Sequence, residues 1–172
     1  MPITFTRVPS ALGELVLAAS DTALTSLYFP IHRPGPGPAG RAGWIEDDGH
    51  GPAGDMLARA RQQLMEYFGR TRTTFDLPLE PVGSTFQRRV WDALRVVPYG
   101  ATVSYSELAR RLGDPRATRA VGAANAKNPI PIIVPCHRVV GATGELTGFG
   151  GGLDRKRWLL EHEGALLALG RA

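Results

Sequence analysis

Between Asn128 and Gly141 the chain reads NPIPIIVPCHRVVG, a run apolar and β-branched enough to be buried yet broken by Pro129, Pro131 and Pro135. Proline fixes its own backbone angle and removes a hydrogen-bond donor. The fold must therefore accommodate a stiff, sheltered approach to Cys136, which is the only cysteine and is followed at once by His137 and Arg138. A single cysteine forms no internal disulfide, which suits a reducing, intracellular setting. It also leaves no basis for a multi-thiolate zinc site, so no metal is expected.

The 172 residues are enough for one domain or two small ones with a substantial core. With 43% hydrophobic and 21% charged residues, the composition is that of a soluble globular protein. No apolar run reaches the length of a membrane span, and no signal-peptide pattern opens the chain. The net charge of +4 permits a polyanionic partner without requiring one.

Periodicity divides the chain near residue 80. ITFTRV, GELVLAAS and ALTSLYF read as strands, with SDT as a turn. The Pro/Gly-dense tract from Pro30 to Gly54 reads as an exposed, partly mobile loop. A helix is expected from Asp55, with Leu57, Ala60, Leu64 and Phe68 on one face and Gly69 as its stop. TTFDLPLEPVG alternates like an edge strand carrying a proline. Beyond Gly83 the chain turns helical. Ser84 and Gln87 form a capping box ahead of a stripe of Phe86, Val90, Leu94 and Val97, which Pro98 ends. Ser104 and Glu107 form a second box opening YSELARRL, which Gly113 closes. Asp114 then caps a helix whose first position is Pro115. Two short helices around a Gly-Asp-Pro joint make the pattern of a helix-turn-helix. A last helix starts near Asp154. The expected fold is α+β. An N-terminal three-layer-like α/β supporting domain with a small antiparallel sheet spans 1–80. A mainly helical DNA-binding and active-site domain spans 81–172.

The helical part is lopsidedly basic. Arg88, Arg89, Arg95, Arg110, Arg111, Arg116, Arg119 and Lys127 face only Asp92, Glu107 and Asp114. Such a stripe fits phosphate contacts, and it equally fits a solvated helical face. The second helix of the pair carries mostly small residues: Ala117, Thr118, Ala120, Gly122, Ala123 and Ala124. Major-groove readers favour longer polar side chains. A slim helix suits close approach either to a narrow groove or to another helix, and these residues alone do not choose between the two.

A thiol becomes a nucleophile as its thiolate, which needs a nearby base or cation. His137 and Arg138 are candidates, although adjacent side chains often point apart. Glu163, in LLEHEG, is a candidate third member of a Cys-His-acid relay. By position alone it reads as a solvated acid at a helix end.

The run PIPIIVPCHRVVG resembles the active-site signature of the alkylguanine-DNA alkyltransferases, the methylated-DNA–protein-cysteine methyltransferase family. The resemblance extends from about Thr85 to Gly164 through RAVG, NP, PCHRVVG, GGL and WLLEHEG. It implies DNA repair by stoichiometric, irreversible transfer of an alkyl group from 6-O-alkylguanine, and from 4-O-alkylthymine, to the protein's own cysteine. By that resemblance Cys136 is the nucleophile, His137 takes its proton through a water with Glu163 behind it, and Asn128 braces the turn. Tyr105 donates to the leaving guanine. Arg119 enters the DNA stack in place of the flipped nucleotide, with Ser104, Ala117, Thr118, Ala120, Gly122 and Arg138 at the DNA. Val139 offers a carbonyl to the guanine amino group, while Phe149 and Gly150 wall the base pocket. Relatives often carry Tyr-Ser where this chain has Phe149-Gly150, so only a backbone N–H remains at Gly150 to meet the base oxygen. The resemblance implies no cofactor and a monomer acting on double-stranded DNA that carries alkylated guanine, with no membrane partner. It would sit in the cytoplasm, at the nucleoid in a bacterium, or in the nucleus of a eukaryote. The alternative is a non-catalytic lesion-binding protein. Such relatives lack the cysteine that this chain has. A helix-turn-helix transcription factor would have no use for a Cys-His pair beside a stiff turn, and a cysteine hydrolase would turn over repeatedly.

Overall fold

Leu15–Ala19 is buried along its whole length, which marks it as an interior strand. In the computed structural model, which describes residues 2–30 and 41–166, the chain divides into two compact units, Met1–Val82 and Gly83–Ala172. The first is built on a sheet of β1 (Thr4–Val8), β2 (Leu15–Ala19), β3 (Leu24–Tyr28) and β4 (Ile45–Glu46), in the order β3-β2-β1-β4. β1, β2 and β3 are antiparallel neighbours, with Thr6 opposite Leu17 and Leu17 opposite Leu27. β4 pairs parallel to β1. Helix α1 (Gly51–Phe68) lies on this sheet and buries Leu57, Ala60, Leu64 and Tyr67.

Several expectations change here. The Pro30–Gly54 tract is not loop throughout, because it contains β4 and the first turn of α1; residues 31–40 lie outside the described residues. Proline is tolerated in a helix's first turn, where its missing N–H has no intrahelical acceptor, so Pro52 starts α1 rather than delaying it. The helix buries Tyr67 rather than Phe68 as its large aromatic. The segment around Phe75–Leu79 makes only an isolated bridge, Leu24 with Leu79, because Pro78 can accept but cannot donate along a ladder. Past α1 the left-handed position falls to Arg70 (φ 65), with Gly69 in an ordinary conformation (φ −80).

The second unit is helical around a two-residue parallel pair. α2 (Thr85–Leu94) opens with the full Ser84–Gln87 capping box and ends at Leu94, short of Pro98. β5 (Val103–Ser104) leads directly into α3 (Tyr105–Arg111). Only half of the second box forms: Ser104 Oγ accepts from the Glu107 N–H, while the Glu107 carboxylate turns to Arg110 and Arg111. Gly113 (φ 88) ends α3, and Asp114 caps a 3-10 turn, Pro115–Ala117. The second helix, α4 (Thr118–Ala126), therefore starts three residues later than the sequence suggests. α5 spans Leu153–His162. Trp91 fixes α2 to α4 by donating its indole N–H to the Ala124 carbonyl at 2.8 Å. Gly83 is required beneath that ring, since a Cβ there would come within 2.3 Å of it.

Candidate active site

β5 pairs with β6 (Val139–Val140), Val103 opposite Val139 and Ser104 opposite Val140. This short ladder sets the order of events in space. Tyr105 follows β5 and the Cys136–Arg138 3-10 turn precedes β6, so in this parallel pair the two flank opposite ends of a ladder only two residues long. The turn is rigid. Asn128, 3% exposed, donates through Nδ2 to the Val134 carbonyl (2.8 Å) and accepts from the Ile130 N–H (3.0 Å). Ile132, β-branched and buried, is held at φ +74, a conformation such residues avoid and one that tends to cluster at functional sites.

Cys136 is 4% exposed, and burial pushes its thiol up to about 11. His137 is fully buried. Its Nε2 lies 2.8 Å from Glu163 Oε2, and because a carboxylate only accepts, Nε2 carries the proton. Nδ1 is then a bare lone pair, buried without a protein partner. Burial lowers the His137 pKa, so the ring rests neutral. Burial by itself would raise Glu163, but hydrogen bonds and charge from His137 and Arg138 outweigh it and hold the carboxyl far below the usual range.

Arg138 explains that balance. Its Nε and Nη2 grip the two Glu163 oxygens at 2.8 and 2.9 Å, and Nη1 donates to the Val97 carbonyl at 2.7 Å. At 6% exposed and with each of these nitrogens engaged, it is a buried counter-ion and not a phosphate contact, which corrects its placement at the DNA. Because Arg138 already neutralises Glu163, His137 need not be protonated at rest and is poised to accept a proton.

Lys156 was not among the expected site residues. It sits in α5 with no solvent exposure, and burial brings its pKa down to about 8. Nζ donates to the Thr147 carbonyl at 2.6 Å and lies 5.8 Å from the centre of the Tyr105 ring. The Tyr105 hydroxyl donates to the same carbonyl at 2.9 Å. Burial raises the phenol pKa; Thr147 and Asn125 pull it back, and Cys136 adds to the rise. Lys156, rather than Arg138, is the cation whose charge favours the thiolate. Its spacing held a signal: Lys156 is three and four residues before the buried Leu159 and Leu160, on the same stripe.

The remaining expected positions fall into three groups. Val139 is buried in β6, and half-buried Phe149 and Gly150 lie on the loop that follows Thr147. Arg119 and Ala120 are exposed on α4, with Ala117 and Thr118 half-exposed at its start. Gly122 sits over the Tyr105 ring, where a Cβ would make ordinary contact at 3.7 Å. Close packing against the rest of the unit accounts for one side of the slim helix. Val121, Ala124 and Asn125 face inward, and the opposite side stays bare. Ser104 is spent on its cap, which turns it toward α3.

Comparison with known proteins identifies the family. Residues 3–81 match the family described as 6-O-methylguanine DNA methyltransferase, ribonuclease-like domain. Residues 85–165 match its DNA binding domain. A methylated-DNA–protein-cysteine methyltransferase of Mycolicibacterium paratuberculosis is 49% identical, over 94% of this chain and 92% of its own. One from Methanosarcina acetivorans is 48% identical, over 91% and 95%. The crystal structure of Mycobacterium tuberculosis OGT in complex with DNA superposes with a TM-score of 0.85 at 46% identity, covering 93% of this chain and 92% of that one. The chain belongs to the methylated-DNA–protein-cysteine methyltransferase family.

Proposed function

We propose that the chain repairs duplex DNA by moving the alkyl group of 6-O-alkylguanine, and of 4-O-alkylthymine, onto its own Cys136. The observation that carries this reading is the buried Arg138–Glu163–His137 relay beside the only thiol. A sulfur bond to the alkyl carbon forms as the carbon–oxygen bond to the base breaks. The thiol proton passes through a water to His137 Nδ1, and Glu163 stabilises the imidazolium. The electron pair released to the base is met by a proton from Tyr105 to the ring, and the Lys156 ammonium offsets the resulting phenolate until solvent reprotonates it. Every atom the step needs comes from Cys136, the base, the relay and solvent. The thioether product is stable to water, and the chain has no second thiol to resolve it, so each molecule acts once.

The target carbon lies within the base stack, so the nucleotide must swing out, at a cost of a few kcal/mol. Arg119 on the bare side of α4 fills the gap, with the small residues around it allowing close approach. Exposed Arg88, Arg95, Arg116 and Lys127 supply phosphate contacts. Residues 81–172 do the chemistry and hold the DNA, while 1–80 support them. The protein works as a monomer where the DNA is: the cytoplasm and its nucleoid, or a nucleus.

The test is to incubate the protein with duplex DNA containing 6-O-methylguanine and weigh the intact chain. One methyl on Cys136, reached at one equivalent, is expected. Binding without a mass change would indicate a lesion-binding protein, and repeated turnover a hydrolase.

A further inference from the structure

We propose that Lys156 captures the free end of a two-armed lesion: when the group moved to Cys136 carries a second electrophilic carbon, such as an epoxide, Nζ closes on it and bridges Cys136 to Lys156. This rests on the alkyl-transfer reading above and adds a second bond-forming step to it. Lys156 has no solvent exposure. Among the described residues it forms no salt bridge, and Glu163, the buried acid of this unit, is taken by His137 and Arg138. A buried cation without a carboxylate is costly, which calls for a use. Its neighbours all belong to the reaction. Nζ and the Tyr105 hydroxyl share the Thr147 carbonyl, at 2.6 and 2.9 Å, and Nζ lies 5.8 Å from the centre of the Tyr105 ring. Tyr105 is beside Asn125, whose Nδ2 donates to the Cys136 carbonyl at 3.3 Å. Lys156 and Cys136 are close enough that the charge of each acts on the other.

Transfer itself prepares the amine. A thioether carries no charge, so once the alkyl carbon is on sulfur nothing there favours the ammonium. Burial has already brought Lys156 down to about 8, and the bond-forming neutral amine is populated near neutrality. Cys136 then holds the second carbon inside the same site. Reactants held together in this way combine far faster than either meets a partner from solution. Nζ bonds to the terminal epoxide carbon as that carbon–oxygen bond opens. The alkoxide takes the proton that the nitrogen sheds, leaving a secondary amine and a hydroxyl. No atom is lost and no co-reactant is needed. His137 does not compete, because its Nδ1 lone pair has just taken the thiol proton. The second arm is thereby kept from the DNA that the lesion came from.

The test treats the full chain with duplex DNA carrying 6-O-(oxiranylmethyl)guanine, alongside duplex carrying 6-O-methylguanine. Digestion and mass spectrometry of the alkylated protein should find the Cys136 and Lys156 peptides joined through the oxiranylmethyl carbons. Lys156→Arg keeps a cation but has no amine to attack with. Among its alkylated molecules the joined peptides should be lost, with the epoxide intact or hydrated on Cys136. Timed quenching of the native protein gives a reading that needs no variant. The titratable groups facing Lys156 are Cys136 and His137 on the turn and Tyr105 on α3. Joining should speed up with pH and level off above about 8, as the ammonium loses its proton. A joining rate indifferent to pH would overturn the proposal. So would an open epoxide or diol on native Cys136, a bridge to any other residue, or refusal of the oxirane lesion by a protein that transfers the methyl. Failure to transfer even the methyl would instead sink the alkyl-transfer reading.

Discussion

The two units bury polar groups in opposite ways. Among the described residues of Met1–Val82 the buried polar side chains are Ser20, Ser26 and Gln63, all neutral, and its ion pairs, such as Arg7–Glu46 and Arg59–Asp76, lie at the surface. Gly83–Ala172 buries Arg138, Lys156 and Glu163 together with two histidines and two asparagines. An apolar core behind a charged surface is the cheapest route to stability. The second unit departs from it around Cys136, where desolvation raises the thiol pKa and lowers those of His137 and Lys156. Burial of charge is thus concentrated in the unit that holds Cys136 and avoided among the described residues of the other.

The contrast is sharpened most by removing one arginine from each unit. Arg138→Met leaves Glu163 buried without its counter-ion and should cost about 3–5 kcal/mol. Arg59→Ala breaks an exposed pair and should cost under about 1 kcal/mol. Hydrogen exchange resolved by unit would measure both, and similar losses would erase the distinction. In the first unit the stabilising contacts are apolar. Leu64→Ala should cost about 2–5 kcal/mol there while the transfer rate of the folded molecules, read by intact mass, stays the same.

Glu163→Gln keeps the shape of the relay but removes its charge. Transfer should slow by roughly a hundredfold with DNA binding nearly intact, and an unchanged rate would show that the imidazole needs no acid behind it. Lys156 gives a smaller effect with a definite sign. Its ammonium favours the thiolate only while protonated, and its pKa is about 8. His137 accepts only when neutral, and burial keeps it so to below its usual range. Transfer should therefore plateau near neutrality and fall several-fold above pH 8, and Lys156→Met should abolish the alkaline fall. A rate climbing steadily through pH 9 would mean that free thiolate, not the relay, does the work. Arg70→Gly should be the mildest change, stabilising the first unit by about 0.5–1 kcal/mol through relief of its left-handed backbone, as judged by urea melting. A loss of stability would show that the arginine side chain contributes more there than its backbone conformation costs.

Local signals carried far in the sequence. The Ser84–Gln87 box, the stop at Gly113 and the stripe through Leu57 and Leu64 each rest on residues within a turn of one another, and each formed. What failed depended on partners elsewhere. Glu107 looked like a cap until Arg110 and Arg111 competed for its carboxylate. Glu163 looked solvated because nothing in its own helix shows the Arg138 fork 25 residues earlier in the chain. Lys156 hid among Asp154, Arg155 and Arg157, though its spacing to Leu159 points it inward. Asn125 follows buried Val121 by four residues, yet a short polar side chain on an otherwise small-residue helix gave no reason to look at it.

The Trp91 indole, clamped to the Ala124 carbonyl, lies one residue from Asn125. The protein thereby carries its own optical gauge. Trp44 belongs to the first unit and Trp158 stacks on His162, 4.8 Å between ring centres, whereas Trp91 is tied to α4, the helix proposed to meet DNA. If that helix shifts when a nucleotide swings in, the emission of Trp91 should change before any methyl has moved, which would let docking and chemistry be clocked separately without a dye.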